Sequence, residues 1–167
     1  MITGNDIIDR LKLQPHPEGG FFAETYRSDE QFDGQSLSSR YTSKRSIATA
    51  IYFLITAESC SVMHRLKSDE IFHFYMGDPV TMLHLYPDGS SRILTLGTDL
   101  INGQQPQVVV PKDTWQGSFV SPGGRYALLG TTVAPGFDFA DFEYGRRKDL
   151  IEQYPDHAQT IIRLTRE

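Results

Sequence analysis

The chain has 167 residues, which is the usual size of one domain, and its 39% hydrophobic and 22% charged residues are ordinary for a soluble globular protein. Its formal net charge of -5 disfavours a nucleic-acid partner, because phosphate binding usually needs a basic face. The single cysteine, Cys60, excludes an intramolecular disulfide and a cysteine-based zinc site within one chain. We find no apolar run long enough to span a membrane and no signal-peptide pattern, so we expect a cytoplasmic protein without membrane contact.

The first part of the chain predicts a short helix, a strand and a long loop. Thr3 or Asn5 can cap the helix, and prolines end it. Two glycines then release the backbone into a strand from Phe21 to Tyr26. Residues 28–45 are polar and rich in serine, so we expect a long surface loop there.

The middle of the chain predicts many short strands separated by turn signals such as "YPDGSS" and "SPGG". We expect strands over residues 46–56, 61–66, 70–76, 80–86, 91–96, 107–110, 116–120 and 126–133. The chain then returns to helical spacing near its end. Many short strands with few helices predict an all-β antiparallel sandwich or barrel, and we expect residues 1–167 to form a single domain.

The stretch "VMHRLKSDEIFHFYMGDP", residues 62–79, contains the chemistry that matters most. Side chains alternate along a strand, so His64 and Leu66 share one face, and Glu70 on an adjoining strand can meet His64. His73 has the opposite parity to Glu70 and is expected on the other face. Three interpretations of His64 with Glu70 stay open: a metal site, an acid–base pair, or a satisfied buried pair. The buried pair is favoured, because a catalytic metal normally takes three protein ligands.

These residues also resemble a known family. "HRLKSDEIFHFYMG" resembles the first cupin motif, in which two histidines one residue apart precede a glutamate, and "PKDTWQ" stands where the second motif is usual. "HPEGGFFAETYRS", "SDEIFHFYMGDP" and "GFDFADFE" resemble an uncharacterised cupin subfamily, DUF985 or Cupin_5, over nearly the whole chain. The resemblance implies a double-stranded β-helix, the cupin jelly-roll barrel of the RmlC-like type, and a homodimer or higher homo-oligomer.

The sequence departs from the cupin pattern at the usual metal ligands. Leu66 stands at the second histidine of the first motif, and Gln116 stands at the histidine of the second. His64 and Glu70 remain, and a neutral amide is a poor ligand for a borderline metal. We therefore expect no metal cofactor; any bound metal would use His64, Glu70 and Gln116.

The remaining side chains predict a pocket for chemistry or binding. Catalytic roles are assigned to His64 as base, Glu70 as its partner and Tyr75, or else Tyr52, as acid. Ligand-binding roles are assigned to Phe72, Phe74, His73, Trp115 and Gln116, although core packing explains Phe72 and Phe74 equally well. His84 is expected to be structural, and His16 and His157 are given little functional weight.

The segment "HPEGGFFAETYR" is interpreted as a subunit interface, with Glu18 solvated. In "GFDFADFE", Asp141 and Glu143 are expected to close the mouth of the barrel or to cap the following helix. A catalytic role for these two carboxylates is the less favoured interpretation.

Three functions remain. The favoured one is binding of a small organic ligand, sugar-like or otherwise, in the barrel pocket. The alternative is a metal-independent isomerase or epimerase of a sugar or sugar nucleotide, with His64 as base. A metal-dependent oxygenase or isomerase ranks last, because the ligands are missing. Whether the protein is an enzyme stays open at this point.

Overall fold

The computed structural model describes residues 2–166, apart from the side chains of residues 34 and 35. The strands are β1 (Gln14–Pro15), β2 (Phe21–Arg27), β3 (Gln31–Phe32), β4 (Arg45–Ser46), β5 (Thr49–Thr56), β6 (Cys60–Leu66), β7 (Asp69–Gly77), β8 (Val80–Leu85), β9 (Ser91–Leu96), β10 (Gln107–Val110), β11 (Trp115–Val120), β12 (Tyr126–Ala134) and β13 (Phe142–Tyr144). The helices are α1 (Gly4–Leu11), α2 (Gly34–Leu37), α3 (Arg147–Gln153) and α4 (Ala158–Arg163), with 3₁₀ turns at Phe139–Asp141 and Pro155–His157. No helix among residues 2–166 is long and apolar enough to cross a membrane.

The strands form two antiparallel sheets with a jelly-roll arrangement. The six-stranded sheet has the order β1-β2-β5-β12-β7-β10, and the five-stranded sheet has the order β13-β6-β11-β8-β9. Runs of β-branched and aromatic residues such as "TAIYFLIT" in β5 favour this extended backbone. The all-β prediction and the position of each long strand are confirmed.

The core fills part of the space between the sheets, and helices cover their outer surfaces. Phe53, Phe72 and Leu129 of the six-stranded sheet pack with Met82 and Leu96 of the five-stranded sheet. Helices α3 and α4 cover the outer face of the five-stranded sheet, and α1 covers part of the other outer face. The packed core therefore occupies one part of the space between the sheets, and a cavity lies beside it.

The segment expected to be a surface loop, residues 28–45, is partly buried instead. Tyr41 is 1% exposed and Arg45 is 2% exposed. The Arg45 guanidinium donates two hydrogen bonds to the Asp141 carboxylate, at 2.7 and 2.8 Å. A buried charge is tolerated when it is paired and hydrogen-bonded, so this polar segment can enter the interior.

The expectation that the strands of His64 and Glu70 adjoin is wrong. β6 belongs to the five-stranded sheet, whereas β7 belongs to the six-stranded sheet. A short connection at Lys67 and Ser68 carries the chain from one sheet to the other. His64 and Glu70 consequently face the interior from opposite sheets.

Candidate ligand-binding site

A cavity of about 340 Å³ lies between the two sheets. Strands β2, β5, β7 and β12 line it from one sheet, and β6 lines it from the other. Its walls are largely apolar, with Phe22, Ile51, Phe53, Leu66 and Val133 as contributors. A concave, mostly apolar space with a few polar groups is the usual form of a small-molecule site.

The mouth of the cavity is formed by the chain segment before β13, which contributes Phe137 and Phe139. Arg27 donates to the carbonyl oxygen of Phe137 at 3.2 Å, and the Phe137 amide donates to Thr49 Oγ1 at 2.9 Å. The Arg45–Asp141 pair holds the far end of the same segment. Asp141, expected to close the mouth or to cap the following helix, does not line the cavity; its carboxylate pairs with Arg45 and so holds the backbone of this segment.

The floor of the cavity contains a buried pair, His64 and Glu18. His64 Nδ1 lies 2.8 Å from the carbonyl oxygen of Val62, and since a carbonyl only accepts, Nδ1 carries a proton. His64 Nε2 then faces Glu18 Oε2 at 3.3 Å, while Glu18 Oε1 accepts from Ser61 Oγ at 2.8 Å. A hydrogen bond between these two atoms needs one proton, carried either by Glu18 as a carboxylic acid or by His64 as an imidazolium. In both arrangements the pair has no net charge.

Burial decides which arrangement of the pair is favoured. It raises the pKa of the Glu18 carboxyl and lowers the pKa of the His64 imidazole, because a charge is poorly solvated in the interior. Both shifts favour a protonated Glu18 that donates to a neutral His64. Glu18 is consequently buried and paired, which corrects the expectation that it is solvated.

Glu70 faces the same cavity from the six-stranded sheet. Gln116 Nε2 donates to Glu70 Oε2 at 2.5 Å. Burial raises the pKa of Glu70 from 4.5 to about 7, against the opposing effect of His64. Glu70 is thus balanced between acid and carboxylate near neutral pH, which suits a group that gives or takes a proton.

His16, which has little functional weight on sequence grounds alone, also lines the cavity. The backbone amide of Glu18 donates to its Nδ1 at 3.2 Å, and its ring packs edge-on against Phe22 with centroids 4.6 Å apart. Burial lowers the pKa of His16. The ring is therefore a neutral, rigidly held member of the site.

The glycine pair of "HPEGG" explains how His16 and Glu18 reach the site. Gly19 and Gly20 have φ angles of 107° and 69°, and a Cβ atom on Gly19 would collide with the carbonyl oxygen of Cys60. Only glycine permits this close approach to β6. The signal that was available in the sequence is a His and a Glu immediately before a backbone turn that glycine alone allows.

Several predicted site residues lie outside the cavity. Phe72 belongs to the hydrophobic core, and Phe74 packs against it. His73 contacts Thr132 Oγ1 at 3.3 Å, and Tyr75 is half exposed. All four lie on β7: Phe72 and Phe74 share the inward face of Glu70 but pack into the hydrophobic core beside the cavity, whereas His73 and Tyr75 point to the opposite face, with a register shift beside Tyr75.

The two predicted residues of β11 also differ from expectation. Trp115 packs with the C-terminal helices, and the Arg65 guanidinium lies 4.4 Å from the centre of its ring. Gln116 contacts Glu70 across the interior, from the five-stranded sheet, rather than lining the space. Of the predicted site residues, His64 and Glu70 are brought to the cavity.

The side chains at this site do not fit a metal ion. Leu66 is apolar, the Gln116 amide is bound to Glu70, and His64 Nε2 faces a carboxyl group. Within residues 2–166, no group of three or more His, Cys, Asp and Glu side chains is arranged to hold one.

Two solved structures share this fold over almost their whole length. Protein SO0799 from Shewanella oneidensis superimposes with a TM-score of 0.88 at 36% identity, covering 99% of each chain. A hypothetical protein from Leishmania major gives a TM-score of 0.89 at 34% identity, covering 99% of this chain and 100% of that one. Oxalate decarboxylase from Bacillus subtilis, at 11% identity and a TM-score of 0.54, shares the fold over 90% of this chain and 36% of its own.

Sequence comparison agrees with the structural likeness. An uncharacterized protein of Saccharomyces cerevisiae, YML079W, is 30% identical over 155 residues, which are 87% of this chain and 77% of that protein. The family described as Cupin superfamily (DUF985) matches residues 5–145, a range that includes both sheets and the cavity. The chain therefore belongs to the DUF985 family of the cupin superfamily.

Proposed function

We propose that this protein binds a small, uncharged organic molecule, sugar-like or otherwise, in the cavity between its sheets. The observation that carries the proposal is the floor of hydrogen-bonding groups beneath apolar walls. The cavity volume of about 340 Å³ lies near the lower end of the range for ligand pockets, roughly 300–1,000 Å³. Such a space suits one substituted ring held by a few directed hydrogen bonds.

The charges around the cavity support an uncharged ligand. Among the described residues, Arg27 is the one Lys or Arg side chain that lines the cavity. Its guanidinium donates two hydrogen bonds to the Glu24 carboxylate, at 3.0 and 2.7 Å, so its positive charge is already balanced. An anionic ligand would have no free cation to pair with. The diphosphate of a sugar nucleotide is disfavoured for the same reason, since phosphate needs cationic or oriented amide partners.

A cationic ligand is disfavoured by the state of the buried carboxyls. Glu18 is already balanced by His64, and burial raises the pKa of both Glu18 and Glu70. Bringing an ammonium group into the floor would require a fully ionised carboxyl, whereas burial favours the neutral acid at Glu18 and leaves Glu70 only partly ionised near neutral pH. A neutral ligand avoids this cost.

Benzamide, benzoate and benzamidine test the proposal, because they share one shape and carry charges of about 0, −1 and +1 at neutral pH. We expect benzamide to bind most tightly, as measured by ligand-detected NMR and calorimetry. Ile51→Trp fills the cavity and should abolish binding. Ile93→Trp, the same change at an exposed position of β9, should not. Tighter binding of either charged probe, or full binding by Ile51→Trp, would overturn the proposal.

A second function is favoured by the fixed tautomer of His64, namely metal-independent proton transfer in an isomerase or epimerase. Nδ1–H is held by Val62, so Nε2, which accepts the hydrogen bond of Glu18, is the ring nitrogen that can take a proton. Tyr75, which is half exposed and outside the lining, is poorly placed as the acid; Glu70 is better placed.

Exchange of the methyl protons of acetophenone in D2O tests this second function. Catalysed exchange that is lost in His64→Ala and kept in Tyr75→Phe is the expected result. General-base catalysis typically contributes about 10²–10⁴-fold, which NMR detects easily. Exchange at the buffer rate in the unaltered protein would leave binding without catalysis.

A further inference from the structure

We propose that His16 is the hydrogen-bond donor of the ligand site, with its Nε2–H held ready for an oxygen acceptor of the ligand. The inference rests on the proposed function, since it assigns the contact by which the cavity recognises its ligand. It narrows the ligand to a neutral molecule with a carbonyl or hydroxyl oxygen at this position.

The tautomer of His16 is fixed by the backbone. The Glu18 amide N–H donates to His16 Nδ1 at 3.2 Å, and a ring nitrogen that accepts from an amide carries no proton. The neutral ring must then hold its proton on Nε2. Glu18 Oε2 is 3.7 Å from Nδ1, which is too long for a hydrogen bond that would reverse this choice.

The proton on Nε2 has no acceptor in the described part of the chain. In the described residues, the His16 ring makes its hydrogen bond at Nδ1. Nε2 has no partner, and it is also absent from the fully buried side-chain atoms without a partner, so it is not completely enclosed by protein. Nε2 therefore borders open space. The side chain is only 7% exposed, so that space is the cavity which His16 lines. A donor sheltered from bulk water in this way gains most from a ligand oxygen.

The ring is held rigidly, as a recognition group should be. Phe22 and Phe53 contact it edge-on, with centroids 4.6 and 6.0 Å away. His64 does not offer the same contact, because its Nδ1–H is used by Val62 and its Nε2 faces Glu18. His16 is thus the imidazole that presents a preset donor to the cavity.

The test compares acetophenone with α-methylstyrene, which has the same shape but a CH₂ group in place of the carbonyl oxygen. Dissociation constants are measured by NMR for the unaltered protein and for His16→Phe, which keeps a ring and removes the donor. We expect His16→Phe to weaken acetophenone by about tenfold, the usual worth of one hydrogen bond, and to leave α-methylstyrene nearly unchanged. His73→Phe, a half-buried histidine outside the cavity, should change neither.

The outcomes separate this inference from the proposed function. Equal effects of His16→Phe on both probes would overturn the donor role while binding in the cavity stands. Failure of both probes to bind the unaltered protein would count against the proposed function, and the inference would fall with it.

A measurement on the unaltered protein covers the case in which His16→Phe does not fold. In protein labelled with ¹⁵N-histidine, the Nε2–H resonance of His16 should shift with acetophenone and not with α-methylstyrene. A proton found on Nδ1 instead of Nε2 would overturn the inference directly.

Discussion

Two buried acid–base pairs lie near the cavity, one holding the segment at its mouth and one lining its floor, and they differ in the number and length of the contacts between their partners. At the mouth, Arg45 gives Asp141 two short hydrogen bonds and donates further to Ser43 Oγ at 2.6 Å. At the floor, His64 and Glu18 meet at one contact of 3.3 Å, and each has one further hydrogen bond, His64 to Val62 and Glu18 from Ser61. The first pair joins a permanent cation to a carboxylate, whereas the second holds one proton between two groups with shifted pKa values.

This difference distinguishes a buried polar pair that stabilises the fold from a buried polar pair that can take part in ligand binding. A fully satisfied ion pair fixes the backbone, and here it fixes the segment that forms the cavity mouth. A pair that is held by one contact and has no net charge can change its hydrogen bonds when a ligand arrives, because no buried charge is left behind. The two pairs should therefore respond very differently when an amide replaces the carboxyl group of each.

Asp141→Asn should produce the largest effect. It leaves the Arg45 guanidinium buried without a counter-charge, which typically costs about 3–5 kcal/mol. Urea unfolding followed by circular dichroism measures the loss in the free energy of unfolding.

Glu143→Gln is the matched control for this change. Glu143 pairs with Arg65 at 2.7 Å, but both side chains are more than one-third exposed. Removal of such a surface pair should cost less than about 1 kcal/mol. Similar losses in the two variants would show that the buried Arg45–Asp141 pair contributes no more to the stability of the fold than a surface pair does.

Glu70→Gln should give the next largest effect, and it should depend on pH. Burial raises the pKa of Glu70 from 4.5 to about 7, so the folded state keeps a proton that the unfolded state releases in this interval. The wild-type protein therefore loses stability as pH rises through this window, and the glutamine variant does not. The difference between them should grow in favour of the variant by on the order of 2 kcal/mol between about pH 4.5 and pH 7.5.

The shifted pKa of His64 acts in the opposite direction, because burial lowers it. Glu70 raises the pKa of His64 against this effect, so its removal strengthens the His64 contribution, and the difference between variant and wild type reports Glu70 together with its coupling to His64. Glu143→Gln, which changes an exposed carboxyl, supplies the baseline. A difference between wild type and Glu70→Gln that stays constant across this pH range would mean that Glu70 is not the group with the raised pKa.

The fold was predictable because its signals are local. Alternation and turn residues predict the positions of the long strands. In strands such as β5 and β12, the β-branched residues of the strand itself favour an extended backbone. The segment around Tyr41 and Arg45 was not predictable from its polar composition. Its burial depends on Asp141, 96 residues further along the chain, and a contact of that separation leaves no local pattern.

The site was predicted only in part, for the same reason. Alternation correctly turned His64 and Glu70 inward, but the sheet to which each strand belongs is a property of the whole topology. The partner of His64 was missed because Glu18 precedes it by 46 residues, and only the glycine turn brings the two together. The homo-oligomer, the cytoplasmic location and the ligand itself stay predictions.

Glu18→Gln should give the smallest effect and sharpens the comparison of the two pairs most. If Glu18 is protonated, the amide can replace it: Oε1 still accepts from Ser61, and Nε2 donates to His64 in place of the carboxyl proton. The loss in the free energy of unfolding should then stay below about 1 kcal/mol. If the pair were instead a charged imidazolium with a carboxylate, the same change would strand a buried charge and cost about as much as Asp141→Asn. Urea unfolding of both variants at neutral pH decides between these states, because the two pairs are matched in burial and differ in whether their charge is permanent.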